Sequence, residues 1–184
     1  KLRAMIGKYA ASGSSSMGLV AAGAKIINCR TIKNVKIGPA ATIEAASRLE
    51  NGSINSCPQD PVYIGPDVFA HNFIACSGSK ITDGVILANC FIGQGTELAK
   101  QYSAENSVFF ANCGGFHGEA CSIFAGPYTV THHKSTLLIA GLFSFLNAGS
   151  GTNQSNHMYK LGPVHQGVVE RGSKTASDSY MLWP

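Results

Sequence analysis

Histidine is the residue type best able to do chemistry in this sequence, because its side chain titrates near neutrality and serves as a general base or a metal ligand. The 184 residues include only 14 Lys and Arg and 10 Asp and Glu, so six histidines stand out in a chain poor in charge. The catalytic candidates are His71, His117, His132, His133, His157 and His165. Their use depends on which of them the fold brings together.

An internal repeat sets the elements that would position these histidines. An aliphatic residue recurs every six positions in Ile37-Gly38-Pro39-Ala40-Ala41-Thr42-Ile43 and again in Ile92-Gly93-Gln94-Gly95-Thr96-Glu97-Leu98. A longer period of 18 is predicted from the match between residues 68–75 and 86–93. Three hexads make one coil with three short sides, each too short to bury a face without stacked neighbours.

Other matches require insertions between coils. We expect one loop around Cys57–Pro61, where turn-forming residues cluster, and another at the polar segment Lys100–Asn106. Short helices could lie on the solenoid at Glu97–Gln101 and Leu137–Leu146. A β-sandwich would also account for strands and glycines, but not for a six-residue step inside an eighteen-residue one.

With this register, His71, Asn89, Asn112 and His132 fall in one column. If Val68 and Ala70 point inward, alternation turns His71 outward, and the column becomes a polar stripe on one corner. Two interpretations stay open. The stripe could bind and activate a substrate, or it could be an Asn/His ladder that hydrogen-bonds between coils and does no chemistry.

The hexads beginning at Ile37 and Ile92 resemble the hexapeptide repeat of left-handed β-helix proteins. That group includes trimeric acyltransferases and the C-terminal domains of sugar-nucleotide pyrophosphorylases. The resemblance implies an all-β, single-stranded left-handed parallel β-helix with inserted loops, forming one domain over residues 1–184 with an irregular part from about 141. Residues 147–184 resemble a large, uncharacterised bacterial family of domains of unknown function.

The resemblance also implies a chemistry. Hexapeptide acyltransferases use an outward histidine, in a cleft between subunits, to take a proton from an acceptor hydroxyl or amine as it attacks an acyl thioester, while amides bind the oxyanion. By this analogy His132 is the catalytic base and His71 the second candidate. The expected substrate-binding residues are Asn89, Asn112, His117 and His133.

The same analogy names the ligands and the alternatives. Acetyl-CoA or another acyl-CoA would be the co-substrate, a sugar or nucleotide-sugar the acceptor, and a homotrimer the assembly, with no covalently bound cofactor. The alternatives are a non-catalytic module for oligomerisation or ligand sensing in a larger protein, and the β-helix domain of a sugar-nucleotide pyrophosphorylase.

Composition argues against several other classes. The net charge is +4 with no basic stripe, so no nucleic-acid partner is expected, and no apolar run approaches the ~20 residues of a membrane span. No Walker or dinucleotide motif occurs. The six cysteines lack Cys-x-x-Cys spacing, which favours reduced thiols in a cytoplasmic protein. Since Lys1 is no initiator and the sequence ends abruptly, we expect a piece of a longer protein.

Zinc is the one metal that the residues suggest. Cys113, His117 and Cys121 are spaced by three residues, and His132 and His133 are adjacent. Thiolates and imidazoles are the usual zinc ligands, but this spacing fits no zinc knuckle. No metal site is therefore expected.

Overall fold

The computed structural model describes residues 1–138, 141–143, 145–155 and 167–182. One helix, α1, spans Leu2–Gly13, and strands make up nearly all of the regular structure after it. The strands are β1 (Leu19–Val20), β2 (Lys25–Ile27), β3 (Ile32–Ile37), β4 (Thr42–Glu44), β5 (Arg48–Asn55), β6 (Tyr63–Ile64), β7 (Phe69–Cys76), β8 (Lys80–Ile81), β9 (Ile86–Ile92), β10 (Glu97–Ala99), β11 (Ser103–Glu105), β12 (Val108–Phe109), β13 (Gly114–Phe116), β14 (Glu119–Cys121), β15 (Phe124–Ala125), β16 (Val130–Thr131), β17 (Thr136–Leu138), β18 (Gly141–Phe143), β19 (Asn147–Ala148), β20 (Asn153–Ser155), β21 (Gly167–Val169) and β22 (Tyr180–Leu182).

These strands stack as a solenoid with three sides per coil. The described strands form one 14-stranded sheet and one 8-stranded sheet, and the strand pairs within both are parallel. Strands β3, β5, β7 and β9 each bend once, so the larger sheet covers two sides of the coil; we call the parts before and after the bend side 1 and side 2. The smaller sheet, β2-β4-β6-β8-β10-β13-β16-β19, is side 3. The predicted fold class, an all-β left-handed parallel β-helix, is confirmed in its strand content, its parallel pairing and its stacked coils.

Residues in the left-handed backbone region mark the three corners. Corner A lies between sides 1 and 2 and holds asparagines such as Asn72 and Asn89. Corner B lies between sides 2 and 3 and includes Asn112. Corner C lies between sides 3 and 1 and includes His117 and Lys134. Asparagine tolerates positive φ better than most residues, which suits it to such turns.

The core is a set of inward columns running along the coil axis. On side 2 the residues in register from coil to coil are buried, at most 3% exposed, and they are aliphatic or aromatic. This column is Ile37, Ile54, Ala75, Ile92, Phe109, Ala125 and Phe143. Burial of each large side chain contributes about 1.5–3 kcal/mol, so stability comes from stacking rather than from any single coil.

The regular spacing between coils is one residue shorter than the sequence match predicts, and the predicted period is wrong. Phe69 pairs with Ile86 and His71 with Ala88, and the bonded asparagines Asn72 and Asn89 are separated by the same step of 17. Both spacings place small or aliphatic residues over one another, which is why the sequence match was misleading. A slip of one residue turns every side chain to the opposite face, so the predicted outward column changes with it.

The insertions also differ from expectation. A loop does lie at Cys57–Pro61, but Arg48 pairs with Phe69, so this coil is only four residues longer than the regular ones. The segment Lys100–Asn106 holds no insertion, because Ser103 pairs with Ile86 at the regular spacing.

Neither helix expected on the solenoid forms in the described residues. Glu97–Ala99 is strand β10, and β17 and β18 occupy described parts of the segment 137–146. Hydrogen bonds from the neighbouring coils outweigh local helix propensity at these positions. Beyond residue 141, strands β18 to β22 continue the parallel pairing. No helix in the described part of the chain is long and apolar enough to span a membrane.

Candidate functional site

The predicted site residues lie at three separate places on the solenoid. His71 lies on side 1 next to corner A and Asn89 lies in corner A, whereas Asn112 lies at corner B. His132 follows β16 on side 3 and continues into corner C. The prediction that His71, Asn89, Asn112 and His132 share one column is therefore wrong, because it rested on a register one residue too long and on insertions that the fold does not contain.

Asparagines at corner A form a hydrogen-bonded ladder. Asn72 Nδ2 donates to Asn89 Oδ1, and Asn89 Nδ2 donates to Asn106 Oδ1, both at 2.9 Å. Asn34 Nδ2 donates to Asn51 Oδ1 at 3.2 Å one coil pair earlier. The amide of Asn89 is thus bonded on both sides, which supports the ladder interpretation at this corner over a role in orienting a substrate.

His71 lies beside this ladder on an exposed part of side 1. Its Nε2 is 3.4 Å from Asn51 Nδ2. In the preceding coil Arg48 forms an ion pair with Glu50, with 2.7 Å between Nη2 and Oε2. The hydrogen bond from Arg48 holds the pKa of Glu50 below its ordinary value. His71 therefore stands apart from the other described histidines, beside an ion pair and an amide that serves the ladder.

Three of the predicted residues, His117, His132 and His133, do come together at the end of side 3 and in corner C. The His132 ring stacks on Phe116 with centroids 5.2 Å apart and planes inclined by only 6°. The His133 ring lies 6.1 Å from that of His132. Beneath the stack, Lys100 Nζ is 6.0 Å from the centroid of Phe116. Flat stacking restricts the orientation of an exposed imidazole, which is a useful property in a catalytic or binding group.

A cavity of about 490 Å³ opens beside His132. In register, His132 is followed on the next coil by Gly149, which leaves the space above the ring open. A Cβ at residue 149 would overlap the carbonyl oxygen of Ala176, so glycine is required by this close backbone approach. The Gly149 N–H donates to Thr175 Oγ1 at 2.8 Å, which fixes the far wall of the cavity.

A second cavity of about 390 Å³ adjoins the first at corner C. The two cavities share His133 and Ser150 in their walls, and we call them together the histidine cleft. The first is lined by His132, His133, Asn147, Ala148, Gly149, Ser150, Lys174, Thr175, Ala176 and Ser177. The second is lined by His117, His133, Lys134, Ser150, Gly151 and Asp178.

Metal ligands are not grouped in the described part of the chain, where no three His, Cys, Asp or Glu side chains could hold an ion. Cys113 is buried, and its thiol donates to Gly126 O at 3.3 Å, whereas His117 is exposed at corner C. The spacing that suggested zinc therefore does not converge in the fold. His157 and His165 lie outside the described residues.

Sequence reasoning missed Lys174 and Thr175, which complete the cleft, and it did not place Gly149 beside His132. The regular coil spacing of 17 residues separates His132 from Gly149, so the correct register would have placed the glycine over the histidine from sequence alone. Lys174 and Thr175 could not be predicted in this way, because more residues separate Asn147 from its bridge partner Lys174 than the regular coil spacing allows. Tertiary stacking alone brings that coil onto β19.

A search of curated protein sequences returned no match. The sequence model described as "Domain of unknown function (DUF4954)" matches residues 1–184, the whole chain. This agrees with the expected resemblance to a family of unknown function. The chain therefore belongs to the DUF4954 family.

Proposed function

We propose that the histidine cleft is an acyl-transfer site in which His132 is the general base. The observation that carries this proposal is the His132 ring, stacked flat on Phe116 and open to a cavity of about 490 Å³. The hexad resemblance to β-helix acyltransferases supports the reaction class. A histidine held in a fixed orientation beside open space can accept a proton from a bound group.

The proposed reaction transfers an acyl group from acetyl-CoA or another acyl-CoA to a sugar or nucleotide-sugar. A neutral His132 takes the proton of the acceptor hydroxyl or amine as its oxygen or nitrogen attacks the thioester carbonyl. The C–S bond then breaks, and the coenzyme A thiolate leaves and is protonated by the imidazolium. His133 and Ser150 line the same cavity, and in this proposal they bind the acceptor or the developing oxyanion.

Self-association belongs to the same proposal, since acyltransferases of the resembling group place this histidine between subunits. Side 2 offers an outward apolar surface that suits a second copy of the chain. Ile74 is 40% exposed and Phe124 45% exposed, and the Phe110 ring lies 4.9 Å from that of Phe124. We propose a homotrimer that covers this surface.

The direct test measures coenzyme A released from acetyl-CoA in the presence of mixed amino sugars and nucleotide-sugars. Chromatography should be the readout, because the partly exposed free thiols of the protein would react with thiol dyes. Replacement His132→Ala should lower turnover by about 10²–10⁴-fold, the usual contribution of a general base. His71→Ala provides the rival test and should leave turnover unchanged. Turnover that survives in His132→Ala but disappears in His71→Ala would move the base to corner A.

Calorimetry with acetyl-CoA addresses the first step separately. We expect saturable binding by the intact chain. Absence of heat at millimolar acetyl-CoA would contradict the enzyme proposal and favour the non-catalytic alternative, a β-helix that supports oligomerisation or ligand sensing. The hydrogen-bonded asparagines of corner A already suit that structural role.

A further inference from the structure

The histidine cleft has a cationic side chain in the wall of each of its two cavities. Lys174 lies in the wall of one cavity and Lys134 in the wall of the other. Against them stands one lining carboxylate, that of Asp178. Neither lysine forms an ion pair with a carboxylate of the described residues, where the salt bridges are Arg48–Glu50 and Lys80–Glu97. Both ammonium groups are thus available to an anionic ligand.

Neutral donors surround these charges. Ser150 belongs to the walls of both cavities, Ser177 adds a hydroxyl, and Asn147 adds an amide. The rings of His132 and His133 supply N–H groups as well. Several donors converging with positive charge match an anion that carries many acceptor oxygens, as a phosphate group does.

The arrangement distinguishes a diphosphate from a single small anion. One lysine lies in each cavity, and His133 and Ser150 stand between the two. A lone carboxylate or phosphate would occupy one cavity and leave the other lysine without a partner. Two linked phosphates supply one phosphate for each lysine, with the shared residues His133 and Ser150 between the two cavities.

We propose that the cleft binds a small molecule through a diphosphate group, with Lys174 contacting one phosphate and Lys134 the other. Diphosphate binding adds the class of substrate to the proposed function. It rests on that function in one respect, that the bound molecule is a substrate. Diphosphate binding itself needs no acyl transfer.

Inorganic diphosphate is the probe for a calorimetric titration of the whole chain. Lys134→Ala and Lys174→Ala should each weaken its binding about tenfold or more, as expected for loss of a charge-assisted hydrogen bond. Lys25→Ala is the matched control and should change affinity less than twofold. Lys25 lies in the same outward column of side 3 as Lys174, but at the far end of the solenoid. The melting temperature of each variant verifies that it is folded. All three lysines are exposed, so folding should be retained.

Two further ligands distinguish the source of the diphosphate. Uridine diphosphate represents a nucleotide-sugar acceptor, and desulfo-coenzyme A represents the donor. If the affinity for one of these ligands depends on both lysines and the affinity for the other does not, the diphosphate belongs to the first substrate. Binding of inorganic diphosphate that is undetectable at millimolar concentration, or equal in the lysine variants and Lys25→Ala, overturns the inference even if acetyl transfer is found. Lysine-dependent binding without acetyl transfer retains the inference and refutes the proposed function.

Discussion

At the level of single residues, Asn89 meets two requirements of corner A at once. Its backbone φ is +54°, a conformation that most side chains avoid, and its amide bridges Asn72 and Asn106. The left-handed region costs an alanine about 1–2 kcal/mol, whereas asparagine and glycine enter it more readily. Backbone and side chain therefore both favour asparagine at this position.

Replacement Asn89→Ala should lower the free energy of unfolding by about 2 kcal/mol, because it removes two amide hydrogen bonds and because alanine tolerates a positive φ less well than asparagine does. Asn89→Gly is the matched variant, since it removes the same bonds without that backbone cost, and it should be the less harmful of the two. Urea unfolding of the three proteins makes the comparison. A glycine variant less stable than the alanine variant would show that the backbone cost does not matter here.

Tyr102 gives a second prediction at the same level. The side chain is 1% exposed, and burial raises the pKa of its phenol well above the ordinary value of 10.0, while a hydrogen bond with Thr131 acts in the opposite direction. The folded chain keeps the phenol protonated where the unfolded chain ionises it. The associated stability is thus complete below pH 10 and is lost as the pH rises above 10.

Tyr102→Phe removes this part of the pH dependence. Between pH 9 and pH 11 the free energy of unfolding should fall by about 1 kcal/mol less in the variant than in the wild type. Urea unfolding at both pH values provides the measurement. Parallel loss of stability in the two proteins would mean that Tyr102 ionises in the folded chain as easily as in the unfolded one.

At the level of the elements, helix α1 contributes little to the solenoid. Its apolar side chains recur at the spacing of one helical face, yet Leu2 is 65% exposed and Tyr9 81% exposed. Helical periodicity usually signals packing against a core, but here the described coils do not cover that face. The helix should therefore be dispensable for the stability of the coils.

Deletion of residues 1–13 should shift the melting temperature by less than about 1 °C, since a change of 1 kcal/mol corresponds to about 2–4 °C in a chain of this size. Differential scanning calorimetry of the shortened and full chains tests this. A fall of several degrees would indicate that α1 packs on the first coil in solution.

The strands themselves show how far local sequence specifies an element. The match between residues 68–75 and 86–93 predicted two stacked segments, and strands β7 and β9 form there and pair with each other. A short helix was considered for the segment Glu97–Gln101. Instead, its first three residues form β10, which pairs with β8 on one side and β13 on the other. A three-residue strand has too few local interactions to be predicted from its own sequence, because its conformation depends on pairing with the coils above and below.

In the molecule as a whole, charge and apolar surface are unevenly distributed. The segment 1–43 contains seven Lys and Arg and no Asp or Glu. In the outward column of side 2, Leu19 is followed by polar Lys36 and Ser53, and the column continues as Ile74, Phe91, Val108 and Phe124. An apolar surface of this kind often marks a contact between proteins.

The proposed homotrimer predicts a sedimentation mass three times the 19.3 kDa of one chain. Phe124→Asp, which places a charge in the apolar column, should shift the chain toward monomer. Lys36→Asp is the matched control, because it alters the same column outside its apolar part, and it should leave the mass unchanged. A wild-type chain that sediments as a monomer at micromolar concentration would contradict the trimer and any site shared between subunits.

The amino-acid sequence alone is enough to specify that this chain forms a parallel β-helix. Aliphatic residues at six-residue steps, such as Ile37, Ile43 and Leu49, are buried on successive sides of the coil, and this pattern is carried by residues close together in the chain. The sequence also includes His132, His133 and His117 among its six candidate histidines, because charged residues are few and the chemistry of histidine is distinctive.

The coil spacing and the composition of the cleft, in contrast, depend on tertiary packing. The observed stacking separates His71, Asn89 and Asn112 from the neighbourhood of His132, since a slip of one residue redirects each side chain. Lys174 and Thr175 reach the cleft from a coil that returns to β19 over a longer stretch of chain than the regular spacing, and no local pattern encodes that return. The residues able to do chemistry were visible in the sequence, whereas their meeting place depended on how the coils stack.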